Sequence, residues 1–284
     1  MGDISGVHKV KYFFLILIAS ISPAIWTIAA DDQTKPVSKR IVSLCLPVTE
    51  IICQLGLEDK IVGVCEGDCP DKLKDRPRVG RAFGIQNVES VIALKPDLVF
   101  CWGDGILLKD KGLTVFSVST NEMDGVIKLV QGVGELLGEK ERATGIADSM
   151  KQKLERIDTK TKRLKDKPLV YFEAGTLGKT RGPGSLTHEL IDKAGGINLA
   201  GKEKVPFPLL SSEFIIASNP DIILVEDFGE SNEGIMARSG WQDLKAVKNR
   251  RIYRCPSYFT NYSPRCLEGL EQFTRWFHPE EFKE

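Results

Sequence analysis

From residue 40 onward, short apolar runs alternate with stretches whose apolar positions recur every three or four residues. That alternation is the sequence mark of parallel α/β units. Arg40 to Leu44, Ile61 to Val64, Leu98 to Cys101 and Thr114 to Val118 read as strands in the first half. Leu169 to Glu173, Asp221 to Glu226 and a strand around Ile252 and Tyr253 follow in the second. Between them, Pro47 opens a helix with an apolar face of Val48, Ile51, Ile52 and Leu55, and Gly56 stops it. Asn87 caps a short helix over Val88 to Leu94. Further helices are expected from Met123 to Leu137, Leu186 to Ala194, Ser212 to Ala217 and Arg265 to Phe277. Cys65 to Gln86 carries Gly, Asp and Pro without periodicity and reads as a loop long enough to be functional.

Glu139 to Asp166 breaks this rhythm. The stretch has no Pro and only Gly145, and places Ala143, Ala147, Met150, Leu154, Ile157, Thr161 and Leu164 at alternating intervals of four and three. It reads as one helix of roughly 40 Å, the length of a small domain. An internal repeat flanks it: Glu89 to Val99 aligns without a gap with Glu213 to Ile223, sharing Glu, Ala, Pro and Asp. Each copy is a short helix, a Pro-Asp turn and a buried strand. The expected fold class is α/β, with two Rossmann-like lobes of parallel sheet joined by one long α-helix and a ligand cleft between the lobes. The expected boundaries are residues 31–138 for the first lobe, 139–166 for the helix and 167–284 for the second lobe.

The first 30 residues differ in kind. Lys9 and Lys11 precede an uncharged run from Tyr12 to Ala30, and Asp31 and Asp32 follow. This is the layout of a secretory signal, with an uncleaved anchor as the alternative, and it predicts export. No Cys lies near Ala30, which argues against lipid attachment there. Lys+Arg and Asp+Glu both total 39, so no overall field draws the chain toward nucleic acid or acidic lipid. Seven cysteines, an odd number, leave at least one unpaired within the chain. Disulfides are the ordinary expectation for an exported chain, and Cys53 is a candidate buried thiol. No C-x-x-C or H-E-x-x-H, no Walker loop and no G-x-S-x-G elbow is present, and the three His are scattered. Arg181 to His188 contains Gly but lacks the lysine of a phosphate loop, and His188 is expected to order the start of its helix. No cofactor is implied, and the chain is not expected to be an enzyme.

Several segments, in order and at family spacing, resemble the periplasmic binding proteins of cobalamin and ferric-siderophore ABC importers. They are Arg40 to Leu44 with Pro47 and Thr49-Glu50, Val62-Gly63-Val64, Ala93 to Val99, Gly182 to Ser185 with Glu189-Leu190, and Ala194 to Asn198. The resemblance runs from about Arg40 to Phe277. It implies two lobes on a backbone helix and capture of a metal chelate, either a corrinoid or a ferric siderophore or heme-like species. It also implies delivery to an ABC permease dimer with its ATPase, by a protein that is a monomer when free. The cleft would be lined by loops beyond the carboxyl ends of the strands.

On that placement, Trp102, Phe207, Tyr258 and Phe259 are the aromatic candidates for a macrocycle's face and rim, with Phe172 beside them. Arg81 would pair with a ligand oxyanion. Glu89 and Glu213, heading equivalent helices, match the surface acids that meet permease arginines in cobalamin-importing relatives. Cys45, Cys65, Cys69, Cys101 and Cys255 depart from the corrinoid pattern. They admit an alternative in which thiolates hold a soft metal or an iron–sulfur species. A chelatase or cofactor-modifying enzyme, and a surface receptor without a small molecule, are the competing classes.

Overall fold

The computed structural model describes residues 38–67, 70–80 and 87–282. The expected export segment, Arg81 and Cys69 lie outside the described residues. In the first lobe, β1 (Ile41–Ser43) is followed by α1 (Leu46–Gln54) and β2 (Ile61–Val64). Then come α2 (Val88–Ala93), β3 (Leu98–Trp102), α3 (Ile106–Lys109), β4 (Val115–Val118) and α4 (Met123–Leu136). The four strands are parallel, in the order β2-β1-β3-β4. After the long α5 (Lys140–Thr161), the second lobe runs β5 (Leu169–Glu173), α6 (Leu186–Lys193), β6 (Ile197–Asn198) and α7 (Ser212–Ser218). It continues with β7 (Ile222–Glu226), α8 (Asn232–Ala237), α9 (Lys245–Lys248), β8 (Ile252–Cys255) and α10 (Cys266–Phe277). Its parallel sheet has the order β6-β5-β7-β8, which is the order of the first sheet repeated.

The repeat seen in the sequence has a shared mechanical role in the two lobes. Asp97 accepts hydrogen bonds from the main chain of Lys39 and Arg40 at 2.9 Å, where the chain leads into β1. Asp221 accepts one from the main chain of Leu169 at 2.8 Å, at the start of β5. In each copy this carboxylate ties the turn before the third strand to the neck of the first. The residue ahead of the Pro is left-handed in both, Lys95 with φ 47° and Asn219 with φ 49°. Asn87 caps α2 by accepting from the Ser90 N–H, and Ser211 caps α7 by accepting from Phe214.

The bounds of α5 are shorter than the pattern predicted. Twenty-two residues give about 33 Å. The helix stops where main-chain bonds tighten to Arg163→Lys160 and Leu164→Thr161, and Pro168 then favours extended backbone at the residue before it. Ala143, Ala147, Met150, Ile157 and Thr161 form its buried stripe, packed on α4 of the first lobe and on α6 and α10 of the second. Further struts join the lobes. The Glu189 carboxylate on α6 accepts from the Met123 N–H at 2.7 Å, capping α4, whose own N-cap residue Glu122 makes no side-chain bond. Cys266 of α10 meets the Met123 sulfur at 3.7 Å. Helices α3, α8 and α9 and strand β6 went unread in the sequence because each is six residues or fewer, too short to show a period.

Candidate functional site

A cleft of about 910 Å³ lies between the lobes, at the upper end of the range for small-molecule sites. The first lobe supplies Leu46, Pro47 and Glu50 from α1, Cys65 and Glu66 beyond β2, and Trp102 at the end of β3. Arg181 and Thr187 around the start of α6, Phe207, Glu226 at the end of β7, and Tyr258, Tyr262 and Arg265 before α10 complete it from the second. The strands' carboxyl ends therefore bound the cleft, as the parallel topology requires.

Two arginines stand in this cleft, each held between a buried carboxylate and an aromatic ring. Arg181 is 3.3 Å from Glu226 and lies over the Phe207 ring at 5.3 Å. Arg265 is 3.5 Å from Glu50, in the other lobe, and 3.5 Å from the centre of the Tyr258 ring. Ser263 donates a short hydrogen bond to Glu50 as well, so the first-lobe carboxylate is pinned by the second lobe. Burial pushes both carboxyl pKa values above the usual range. For Glu50 the Ser263 bond and Arg265 pull the other way, and for Glu226 Arg181 does. Trp102 and Tyr262 meet edge to face across the lobes at 5.5 Å. Glu66 and Asp71 also line the cleft, so its described ionisable carboxylates outnumber its arginines four to two.

Of the residues nominated from the sequence, Trp102, Phe207, Tyr258 and Cys65 line the cleft. Phe207 is 59% exposed in the free protein. Phe172 and Phe259 do not line it. Phe172 is fully buried in β5, and Phe259 packs against Phe273 and Trp276 while turning only its edge to Tyr258. Cys45 is likewise off the wall: it is the N-cap residue of α1, fully buried beneath Leu46. Desolvation drives the Cys45 and Cys255 thiols far above their ordinary pKa, which opposes the thiolate form a soft metal needs. Cys101 is fully buried in β3, and no cluster of three metal-ligating side chains occurs among the described residues. The thiol-capture reading therefore finds no support here. The start of α6 is capped by Ser185, which accepts from the main-chain N–H of His188, while the His188 ring turns away from the helix with its Nδ1 2.9 Å from Asn198 Nδ2.

Glu50, Arg181, Tyr262 and Arg265 were not singled out as site residues. Glu50 stood in a quoted motif and Arg181 in the Gly-containing stretch set aside as a phosphate loop. Their pairings span 215 and 45 positions, and no local pattern reports such distances. Glu89 and Glu213 lie away from the cleft, both exposed in the first turns of α2 and α7.

Two α/β lobes of matching topology, a helix spanning them and a preformed cleft with aromatic and paired ionic walls define a two-lobed solute-binding protein. Comparison with known proteins agrees. Residues 41–259 match the model of the periplasmic binding protein family, and the chain belongs to that family. It is 34% identical over 269 residues to YvrC of Bacillus subtilis (strain 168), an uncharacterized ABC transporter substrate-binding lipoprotein, covering 89% of this chain and 84% of that one. It is 28% identical over 247 residues to a vitamin B12-binding protein of Vibrio cholerae, covering 83% and 87%. Among solved structures, the apo periplasmic heme-binding protein RhuT of Roseiflexus sp. RS-1 superposes with a TM-score of 0.78 at 26% identity, covering 86% of this chain and 99% of that one. The chain is thus an ABC-importer substrate-binding protein and not an enzyme.

Proposed function

We propose that the cleft captures a metal chelate with a broad apolar face, a corrinoid or a ferric siderophore or heme-like species, outside the cytoplasmic membrane. The observation that carries this reading is the placement of Trp102 and Tyr262, with Phe207 and Tyr258, around a volume of about 910 Å³ drawn from both lobes. Flat rings at such a site favour a planar apolar surface over a small polar solute. Relatives that bind vitamin B12 and heme support the same ligand class. The paired arginines orient polar groups on the ligand's rim, since a guanidinium already fixed by a carboxylate keeps donors free for a second acceptor. Titrating the purified protein with cyanocobalamin, hemin and a ferric hydroxamate, read by absorption difference spectra, tests this. Saturable one-to-one binding of one of them is expected. Absence of binding to all three removes the reading.

The loaded protein passes its ligand to a permease dimer driven by an ATPase. Glu89 and Glu213 are the proposed contacts: equivalent positions on two related lobes suit a two-fold symmetric partner, and opposite charges speed and orient the encounter. Glu89→Lys with Glu213→Lys should preserve ligand affinity and abolish uptake. Normal uptake by the folded double variant would contradict the assignment.

A further inference from the structure

The long helix carries a second face unrelated to the cleft. Beside its buried stripe, Lys153, Arg156, Lys160 and Arg163 follow one another at intervals of three, four and three, so they stand in one row down α5 and the turn after it. This row forms one wall of a groove of about 940 Å³ against α10, which adds Arg275. Ile157 and Phe282 lie along it, and Lys160 stands 5.6 Å from the centre of the Phe282 ring. Three acids share the groove, Glu155, Glu271 and Glu281, and Lys153 holds Glu271 at 2.8 Å. From Lys151 to Lys167 the chain has eight basic and three acidic residues, in a protein whose Lys+Arg and Asp+Glu totals are equal. The excess is therefore concentrated on this spine and balanced elsewhere.

A helix C-terminus favours cations within its last turn, which accounts for Lys160. It does not account for Arg156 or Lys151, about one and about two and a half turns earlier. Nor is ion pairing the explanation: among the described residues no ion pair is recorded for Arg156, Lys160, Arg163, Lys165 or Lys167. Three exposed cations of the row without an ion pair, Arg156, Lys160 and Arg163, over a groove containing an aromatic ring are complementary to a surface of anionic headgroups.

We propose that the α5 spine docks the protein on anionic lipid at the membrane surface. Arg156, Lys160 and Arg163 are exposed and charged, so the contact of this face is with headgroups. Neither the cleft nor α2 and α7 contributes to this face. A docked protein thus keeps its ligand site and its carboxylates Glu89 and Glu213 off the lipid contact. Each cation at an anionic surface strengthens partition about five-fold, and the attraction fades as salt shortens the Debye length.

Co-sedimentation of the intact protein with vesicles tests the proposal without reference to the cleft ligand. Binding is expected to vesicles containing phosphatidylglycerol and not to phosphatidylcholine alone, and to disappear between about 0.1 M and about 1 M salt. The variant Arg156→Glu/Lys160→Glu/Arg163→Glu should lose at least 100-fold in partition, by the roughly five-fold per cation already given. A control with the same charge change elsewhere, Lys111→Glu/Lys202→Glu/Lys204→Glu, should lose under ten-fold. Three results would overturn the proposal: equal binding to both vesicle types, equal losses in the two variants, or displacement by inorganic phosphate at constant ionic strength. The last would assign the groove to a small free anion. Unchanged melting of each variant shows that the fold is intact, and chelate titration of the spine variant separates failure here from failure of the cleft reading.

Discussion

Phe207→Ala separates ligand contact from core packing more cleanly than any other cleft substitution. The ring is 59% exposed in the free protein, so most of its surface remains for a ligand to cover. Burying a whole Phe side chain is worth about 1.5–3 kcal/mol, and the exposed fraction brings this to about 1–2 kcal/mol on binding. The Arg181 contact over the ring exists before the ligand arrives and largely cancels. Affinity should therefore fall about 5–30-fold, while unfolding free energy stays within about 0.5 kcal/mol of the parent, as for other exposed positions. Titration against the chelate identified by absorption, with urea unfolding of the same samples, gives both numbers. Unchanged affinity with an intact fold would refute the contact. A stability loss above about 2 kcal/mol would show that the ring serves packing.

Arg238 grips the fully buried Glu173 through two bonds of 2.7 Å, so Arg238→Ala should cost about 3–5 kcal/mol in urea unfolding. Glu173→Gln with Arg238→Met should recover part of it, because no buried charge is then stranded. Glu189→Ala should cost about 1 kcal/mol by uncapping α4, and small-angle scattering should show a broader spread of lobe separations than in the parent. The carboxyls of Glu50 and Glu226 are raised by burial, so the folded state holds extra protons above the ordinary carboxylate pKa of about 4.3. Their contribution to stability is fully present below that value and is lost as pH rises through the raised one, and Glu50→Gln should flatten this slope in thermal melts. Over the same window, affinity for a carboxylate-bearing chelate such as hemin should rise as pH falls, because the two arginines lose their charged partners. A pH-independent hemin affinity would contradict this.

The sequence by itself determined what local patterns can report. Apolar runs placed seven of the eight strands, a four-three interval placed the spine helix, and the Glu89 and Glu213 repeats announced lobes of one design. The Pro-Asp turns proved to be the same clamp twice, since a carboxylate beside a strand's neck needs only neighbours in one α/β unit. Trp102, Phe207 and Tyr258 were legible because strand ends point at the cleft in any parallel sheet. Side-chain direction was not legible. Tyr258 and Phe259 are adjacent, and only the packing of Phe273 and Trp276 sends one ring to the core and leaves the other beneath Arg265. Cys45 sits one residue from the wall and behind it. The pairings that charge the cleft, Glu50 with Arg265 and Arg181 with Glu226, join segments far apart in the chain. Tertiary structure decides them, the docking of the two lobes for Glu50 with Arg265 and the folding of the second lobe for Arg181 with Glu226, because a carboxylate's partner is set by distance in space and by burial, and neither quantity is written in the local order of residues.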